Sequence, residues 1–236
     1  MQRLIDFTNQ FLNISLSVNQ IHSFEIYLRE LIQWNEKVNL TAINNPDEII
    51  TKHFIDSLTC SLVSDFSKPG RLIDIGTGAG FPGLPLKIIF PHIELNLVDS
   101  VGKKIEFCQY LSELLGLKDV NFTIGRAEEL GQNLQYREKY HWATARAIAA
   151  LPVLAEYLLP LIKINGTAII HKGKNAQSEI DSARNAIIKL GGTIGKIKPI
   201  QIPGLDERIL ISLIKTRPTP MKYPRRVGIP AKRPLV

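Results

Sequence analysis

Residues 72–83 read LIDIGTGAGFPG, and this stretch decides the fold of the 236-residue chain. A short apolar run typical of a buried strand leads into three glycines, Gly76, Gly78 and Gly80, and Pro82 then suits the first turn of a helix. Such a strand–loop–helix unit needs glycine because the turn is tight and a ligand must approach the backbone closely. The stretch therefore predicts a ligand-binding loop at the carboxyl end of a strand.

Short apolar runs alternate with helical patterns after this loop. Alternating strands and helices are typical of βαβ units, so we predict a Rossmann-like α/β fold with a mostly parallel, seven-stranded sheet. The last two strands, separated by a short turn, are predicted to form an antiparallel hairpin at the sheet edge. Strands are predicted at 72–75, 93–98, 120–124, 143–145, 167–170, 196–202 and 208–214, and helices after Pro82 and over 103–115, 149–163 and 176–190.

The region before the loop is predicted to be helical. Apolar residues recur at helical spacing from Ile21 to Val38, and Asn45 followed by Pro46 is a typical helix start. We therefore predict three parts: an N-terminal helical extension (1–65), a Rossmann-like domain (66–216) and a tail (217–236).

The end of the chain carries the excess charge. The net charge is +7, from 29 basic and 22 acidic residues; seven of the basic residues and no acid lie from Lys215 onward, which leaves 22 basic residues against 22 acids. Concentrated positive charge favours polyanions such as RNA, although a basic tail is also compatible with a solvated chain end. Five prolines between 218 and 234 favour an extended tail, the alternative being packing on the sheet through Tyr223, Val227 and Ile229.

Composition disfavours several classes of protein. No stretch reaches the roughly 18 uncharged apolar residues of a membrane span, and the N-terminus lacks the pattern of a secretory signal. Cys60, Cys108 and five histidines are scattered without the spacing of a disulfide framework or a zinc site, so we expect no metal. We expect a cytoplasmic protein with no membrane partner.

The glycine loop alone does not identify its ligand, because residues 78–83 also fit the GxGxxG fingerprint of dinucleotide-binding proteins. Asp74 favours a different ligand, since a carboxylate there can organise the loop and face a cationic ligand but would repel a pyrophosphate. With the glycine spacing it resembles the first motif of class I methyltransferases. Asp99, 19 residues after Gly80, can accept from a ribose diol and suits NAD and S-adenosylmethionine equally. A turn cap at Asp74 and a helix cap at Asp99 are the structural alternatives.

Two further strand ends carry candidate site residues. Arg126, Ala127 and Glu128 follow the third strand, where backbone groups and an acid can bond an adenine edge, although they also suit an ordinary helix start. Arg146 ends the fourth strand, and ligands bind at the carboxyl ends of strands in open α/β sheets. Arg146 is therefore expected at the reaction centre or at a phosphate, the alternative being a salt bridge to a neighbouring acid.

Longer motifs extend over nearly the whole chain. They are WNEKVNLTAI (34–43), KHFIDS (52–57), DIGTGAGFPGLPL (74–86), LVDSVGKKIEF (97–107), GRAEEL (125–130), ARA (145–147), HKG (171–173) and KYPRRVGIPAKRPL (222–235). With these motifs the sequence resembles the glucose-inhibited division protein B family, the small-subunit (16S) ribosomal RNA guanine-N7 methyltransferases. It departs from the family at Ala145, where serine is common, and in GIPAK (228–232), where many relatives have GTPNK.

The resemblance implies S-adenosylmethionine as cofactor and 16S ribosomal RNA, free or in a small-subunit assembly intermediate, as partner. Arg146 and Lys172 are the candidate catalytic residues, for contacts to the guanine edge or to phosphate. No general base is expected, because guanine N7 carries no proton. The family's cofactor contacts fall on Gly76, Phe81, Asp99, Ala127, Glu128 and Arg146, to which the loop adds Gly78 and Gly80.

We expect a monomer. The alternatives that the sequence leaves open are a class I methyltransferase acting on another RNA or a protein, an NAD-dependent oxidoreductase, and a non-catalytic RNA-binding protein.

Overall fold

A computed structural model describes residues 1–146, 148–173, 176–204 and 207–235. Ala147 of the ARA motif and Val236 at the end of the tail lie outside the described residues. The strands are β1 (Gly70–Ile75), β2 (Ile93–Asp99), β3 (Val120–Ile124), β4 (Tyr140–Arg146), β5 (Ile162–Lys172), β6 (Gly192–Ile200) and β7 (Arg208–Lys215). The helices are α1 (Gln2–Phe7), α2 (Val18–Asn35), α3 (Pro46–Ile49), α4 (Asp56–Leu58), α5 (Gly83–Ile89), α6 (Gly102–Leu114), α7 (Ala127–Gln132), α8 (Leu151–Leu158), α9 (Ala176–Lys189) and α10 (Ile229–Lys232).

The seven strands form one sheet in the order β3-β2-β1-β4-β5-β7-β6. The first five strands are parallel, and β7 runs antiparallel to both β5 and β6. The predicted Rossmann-like α/β fold, with its antiparallel hairpin at the edge, is confirmed. The strand order reverses at β1, whose parallel neighbours are β2 and β4, and ligands bind at such a switch point.

Both faces of the sheet are buried, as in parallel sheets with helices on each side. Neighbouring residues of β1 show the alternation: Leu72 packs into the core beneath α2, α5 and α6, whereas Ile73 packs into the core beneath α8 and α9. The predicted boundary between α8 and β5 was wrong. The helix expected over 149–163 ends at Leu158, and β5 already begins at Ile162, because a short apolar run satisfies helical and strand patterns equally.

The N-terminal helices belong to the same core as the sheet. Asn45 caps α3 by accepting from the backbone of Asp47 and Glu48, as its position before Pro46 predicts. Gln20 of α2 donates to the carbonyl oxygens of Ile88 and Ile89, which end α5. These contacts fix the N-terminal segment against the domain. Across the described ranges, none of the helices has the length and apolar character that a membrane span requires.

The tail packs against the domain, so the expectation of an extended tail is wrong. The guanidinium of Arg137 donates to the carbonyl oxygens of Thr219 at 2.6 Å and Tyr223 at 2.7 Å. Arg225 forms an ion pair with the fully buried Glu156 at 2.6 Å. Two prolines of the tail, Pro224 and Pro230, are buried, whereas Val227 and Ile229 of the alternative prediction are exposed.

Candidate active site

The glycine loop follows β1 at the carboxyl edge of the sheet. Gly76, Gly78 and Gly80 have φ angles of +68°, +59° and +96°, which glycine adopts without steric cost. At Gly78 none of the described residues beyond its chain neighbours has an atom within 4 Å of the position a Cβ would take, whereas at Gly80 the hydroxyl of Tyr27 would lie 2.7 Å away. Gly78 thus leaves open space beside the backbone, and Gly80 lets the loop pack against α2.

Asp74 holds this loop from within the protein. Its fully buried carboxylate accepts hydrogen bonds from Thr77 Oγ1 at 2.7 Å, from the Gly83 backbone N–H at 3.0 Å and from Thr144 Oγ1 at 3.0 Å. Burial raises the pKa of Asp74 to about 6, and these three hydrogen bonds oppose the rise. The expectation that Asp74 organises the loop is confirmed. The expectation that it faces a cationic ligand is wrong, because its hydrogen bonds are made within the protein and it does not line the cavity described below.

Asp99 ends β2 beside the glycine loop. One carboxylate oxygen accepts from the Gly78 backbone N–H at 3.0 Å, and the other accepts from the Val101 N–H at 2.9 Å, one residue before α6 begins. Asp99 therefore fixes both the loop and the turn into the helix. Each oxygen of a carboxylate can accept more than one hydrogen bond, so the ribose contact stays a prediction.

Arg146 ends β4 and is clamped by the N-terminal segment. Its Nη1 donates to the Lys52 carbonyl oxygen at 2.9 Å and to Asp56 Oδ2 at 2.7 Å, and its Nη2 lies 3.1 Å from His53 Nδ1. The backbone from Ile50 to Ile55 is π-helical, a rare conformation that is frequent at functional sites. The salt bridge that the sequence offered as the alternative is confirmed, and Arg146 also lines the cavity.

Arg146 is the main fixed charge of this cluster. Burial acts to raise the pKa of Asp56, but His171, Arg146 and Arg208 outweigh it, so the pKa lies below its ordinary value. Burial also lowers the pKa of His171, which keeps that ring neutral at pH 7 and leaves the arginines as the charges that stabilise Asp56. For His53, burial and then Arg146 lower the pKa to about 3. The site therefore holds neutral imidazoles beside a buried ion pair.

Phe81 forms the floor of the cluster. Its ring stacks between His53, at 4.5 Å between centroids, and Tyr27, at 5.2 Å, while the Arg146 guanidinium carbon lies 5.3 Å from its centroid. The Tyr27 hydroxyl donates to the carbonyl oxygen of Ala79 in the glycine loop at 2.5 Å. The aromatic stack thus ties α2, the loop and the Arg146 clamp into one rigid unit.

Lys172 ends the neighbouring strand β5, one residue after His171, which pairs with Arg146. Its Nζ lies 2.7 Å from Glu179 Oε2 and donates to the Ala149 carbonyl oxygen at 3.0 Å. Arg208 of β7 approaches the same cluster, with its Nε 3.8 Å from Asp56 Oδ1. The two candidate catalytic residues, Arg146 and Lys172, therefore share one site, and each is paired with an acid.

These walls enclose a cavity of about 810 Å³, which is in the range of small-molecule sites. Of the predicted residues, Gly76, Gly78, Phe81, Arg146 and Lys172 line it. The others do not line it: Gly80, Asp99, Ala127 and Glu128.

The side chain of Glu128 binds the tail. Its Oε1 accepts from the Gly228 backbone N–H at 3.0 Å. It also bonds the hydroxyl of Tyr157, whose pKa is raised to about 12 by burial and by this carboxylate. The carboxylate is therefore held by structural partners, and the backbone of Ala127 and Glu128, at the start of α7, is what remains for the predicted adenine contact.

Sequence reasoning missed several cavity residues. Thr41, His53, Asp56 and Lys104 line the cavity, although none of them was a candidate. All four lie in motifs that carried the resemblance. The signal that could have found them was a polar residue at a buried helical position: Asp56 is 1% exposed between the buried Ile55 and Ser57.

Comparison with known proteins gives the same assignment for the chain as a whole. The model of the GidB family, described as rRNA small subunit methyltransferase G, matches residues 20–207. A protein named ribosomal RNA small subunit methyltransferase G from Roseiflexus castenholzii is 49% identical over 94% of this chain and 95% of its own length. One of the same name from Alkaliphilus metalliredigens is 46% identical over 96% and 95%.

Solved structures support the fold alone. The antibiotic-resistance methyltransferase Kmr superposes with a TM-score of 0.52 at 16% identity, over 63% of this chain and 88% of its own. A 16S rRNA (adenine(1408)-N(1))-methyltransferase mutant from Catenulisporales acidiphilia gives 0.54 at 10% identity, over 71% and 93%. The fold is thus that of Rossmann-like class I methyltransferases. By the family match and the identity to its relatives, this chain belongs to the rRNA small subunit methyltransferase G family.

Proposed function

We propose that this protein is an S-adenosylmethionine-dependent methyltransferase that methylates N7 of a guanine in 16S ribosomal RNA. It works as a monomer in the cytoplasm. The observation that carries the proposal is the cavity in which the glycine loop meets Arg146 and Lys172, in a chain that belongs to this family over most of its length. Its relatives are named for the small-subunit ribosomal RNA.

The residues around the loop fit S-adenosylmethionine. The open space at Gly78 allows a ligand to lie against the backbone. The Asp99 carboxylate, which accepts from the Gly78 N–H, would also accept from the hydroxyls of a ribose. Gly76 and Phe81 line the same space, and the backbone of Ala127 and Glu128 would meet the adenine. When bound, S-adenosylmethionine supplies an electrophilic methyl group on a sulfonium.

The chain's own residues act by positioning. The reacting guanine nitrogen is a lone pair without a proton, so no side chain needs to take one up. His53 agrees with this requirement, because its pKa is lowered to about 3, which makes it a weak base, and its Nδ1 faces the Arg146 guanidinium. The cluster holds the target base in a fixed orientation, and orientation alone contributes much of the rate of such a reaction.

The RNA partner is supported by charge on the tail. Exposed cations lie along the packed tail, and they are Lys222, Arg226, Lys232 and Arg233. Guanine N7 lies in the deep major groove of an A-form helix, so the target is a loop nucleotide or a base flipped out of the stack. These cations would bind phosphates of the RNA.

Two measurements test the proposal. Purified protein is incubated with unmodified 16S ribosomal RNA and S-adenosylmethionine, and the digested RNA is analysed by mass spectrometry; N7-methylguanosine is expected, and a different methylated nucleoside would refute the N7 assignment. In a melting assay, S-adenosylhomocysteine is expected to raise the melting temperature and NAD is not. Stabilisation by NAD alone would support the oxidoreductase instead.

A further inference from the structure

A hydrogen-bond chain runs from Arg146 to the wall of the cavity. Arg146 Nη2 lies 3.1 Å from His53 Nδ1, and His53 Nε2 lies 2.8 Å from Thr41 Oγ1. Thr41 Oγ1 also accepts from the Ile43 backbone N–H at 3.1 Å. Thr41 lines the cavity together with His53 and Arg146.

The Arg146 guanidinium sets the direction of the bonds in this chain. A guanidinium has only donors, so His53 Nδ1 must be the acceptor and carry no proton. The ring is neutral, because burial and Arg146 lower the pKa of His53 to about 3. Its single proton is therefore on Nε2, which donates to Thr41. The opposite tautomer would set two donors against each other at 3.1 Å.

The hydroxyl of Thr41 is consequently left with one role. Its oxygen accepts from two donors, His53 and Ile43, which occupies both lone pairs. Within the part of the chain that the structure describes, no acceptor is within hydrogen-bond distance of this oxygen for its proton. Thr41 therefore presents a donor to the cavity and cannot act as an acceptor there.

We propose that the Thr41 hydroxyl donates to O6 of the target guanine and so makes Thr41 a specificity-determining residue. The proposal rests on the function proposed above. O6 is the acceptor next to N7 on the same edge of guanine, whereas adenine has an amino donor at that position. A hydroxyl free to rotate would tolerate either base, but one restricted to donating pairs with guanine and meets adenine donor to donor.

The first test measures the tautomer without reference to catalysis. Protein with ¹⁵N-labelled histidine is studied by NMR, and the His53 signals are assigned by their loss in His53→Gln. The expected spectrum has Nε2 protonated and Nδ1 unprotonated, unchanged between pH 5 and 8. A proton on Nδ1 overturns the proposal, because Thr41 would then donate to His53 and have no proton left for a ligand.

The second test measures selectivity on short RNAs that carry the mapped target position as guanine or as 2-aminopurine, which keeps N7 but lacks O6. The parent protein is expected to methylate the guanine RNA at least about tenfold faster than the 2-aminopurine RNA, because 2-aminopurine loses one hydrogen bond in a preorganised site. Thr41→Val is expected to slow guanine to about the rate of 2-aminopurine, and Thr41→Ser to keep the parent's ratio.

The outcomes separate this proposal from the proposed function. If Thr41→Val slows both RNAs equally, Thr41 is structural and the O6 contact is refuted. If the parent methylates guanine and 2-aminopurine equally, the contact is refuted although the methyltransferase activity stands. If the parent methylates neither RNA and leaves intact 16S ribosomal RNA unmodified, the proposed function fails and the O6 contact fails with it. The NMR result still decides the direction of the Thr41 hydroxyl.

Discussion

Replacing Gly78 by valine is expected to abolish S-adenosylmethionine binding while the fold survives. The chain offers a matched control, because Gly116 at the end of α6 has nearly the same geometry. The φ angle is +59° at Gly78 and +63° at Gly116. At both positions the place where a Cβ would be is more than 4 Å from every described residue other than the chain neighbours. Gly78 lines the cavity, whereas Gly116 does not.

Both substitutions incur the same backbone cost. A side chain in the left-handed region costs about 1–2 kcal/mol, and each kcal/mol lowers the melting temperature of a chain of this size by about 2–4 °C. Gly78→Val and Gly116→Val are therefore each expected to melt about 2–8 °C below the parent. Isothermal titration calorimetry with S-adenosylhomocysteine distinguishes the two variants. We expect the affinity of Gly116→Val to stay within about twofold of the parent. The affinity of Gly78→Val is expected to fall at least about a hundredfold, because the branched side chain fills the ligand space. Equal binding by the two variants would refute the role of the loop.

Three other perturbations test separate parts of the site. Asp99→Ala is expected to weaken S-adenosylhomocysteine binding about tenfold to a hundredfold by calorimetry, because a charge-assisted hydrogen bond is worth about 1.5–3 kcal/mol; an affinity within twofold of the parent would contradict the ribose contact. Burial raises the pKa of Asp74 to about 6. The unfolding free energy of the parent relative to Asp74→Asn is therefore expected to fall by up to about 3 kcal/mol as pH rises from about 4 to about 6, and to stay level above that. A difference in unfolding free energy that does not vary with pH argues against the raised pKa. Replacing the four exposed cations of the tail by glutamine is expected to leave the melting temperature unchanged and to flatten the salt dependence of RNA binding, by about one unit of slope for each phosphate that the tail no longer neutralises. The control replaces four exposed lysines that precede or begin parallel strands, and equal slopes in the two variants would remove the tail from the RNA site; these lysines are Lys68, Lys118, Lys139 and Lys163.

The fold was predictable because its signals are local. The glycine loop, the alternation of strands and helices, and the cap at Asn45 each depend on a few neighbouring residues. The loop glycines Gly76 and Gly78 were found for the same reason, whereas Phe81 was a candidate only through the resemblance to the family. Where a local pattern was ambiguous, as in the apolar run around 158–163, the boundary between α8 and β5 was misplaced.

The clamp on Arg146 could not be predicted in this way. Asp56 and Lys52 meet Arg146 from about 90 residues away in sequence, through packing of a π-helical turn that no periodicity indicates. The same holds for Glu128, whose carboxylate binds Gly228 a hundred residues later. Local sequence showed that Glu128 follows a strand, and only the packed tail shows which way its side chain turns.

The most direct test of the central claim is the chemical mapping of N7-methylguanosine in 16S ribosomal RNA. Borohydride and aniline treatment cleaves RNA at this nucleoside. The cleavage is compared between RNA from cells with this protein and RNA from cells without it. The RNA from cells without it is also tested after incubation with the purified protein and S-adenosylmethionine. We expect cleavage at one guanine that disappears without the protein, returns with the parent and Gly116→Val, and does not return with Gly78→Val. Cleavage that is the same with and without the protein, or that Gly78→Val restores fully, would contradict the proposed function.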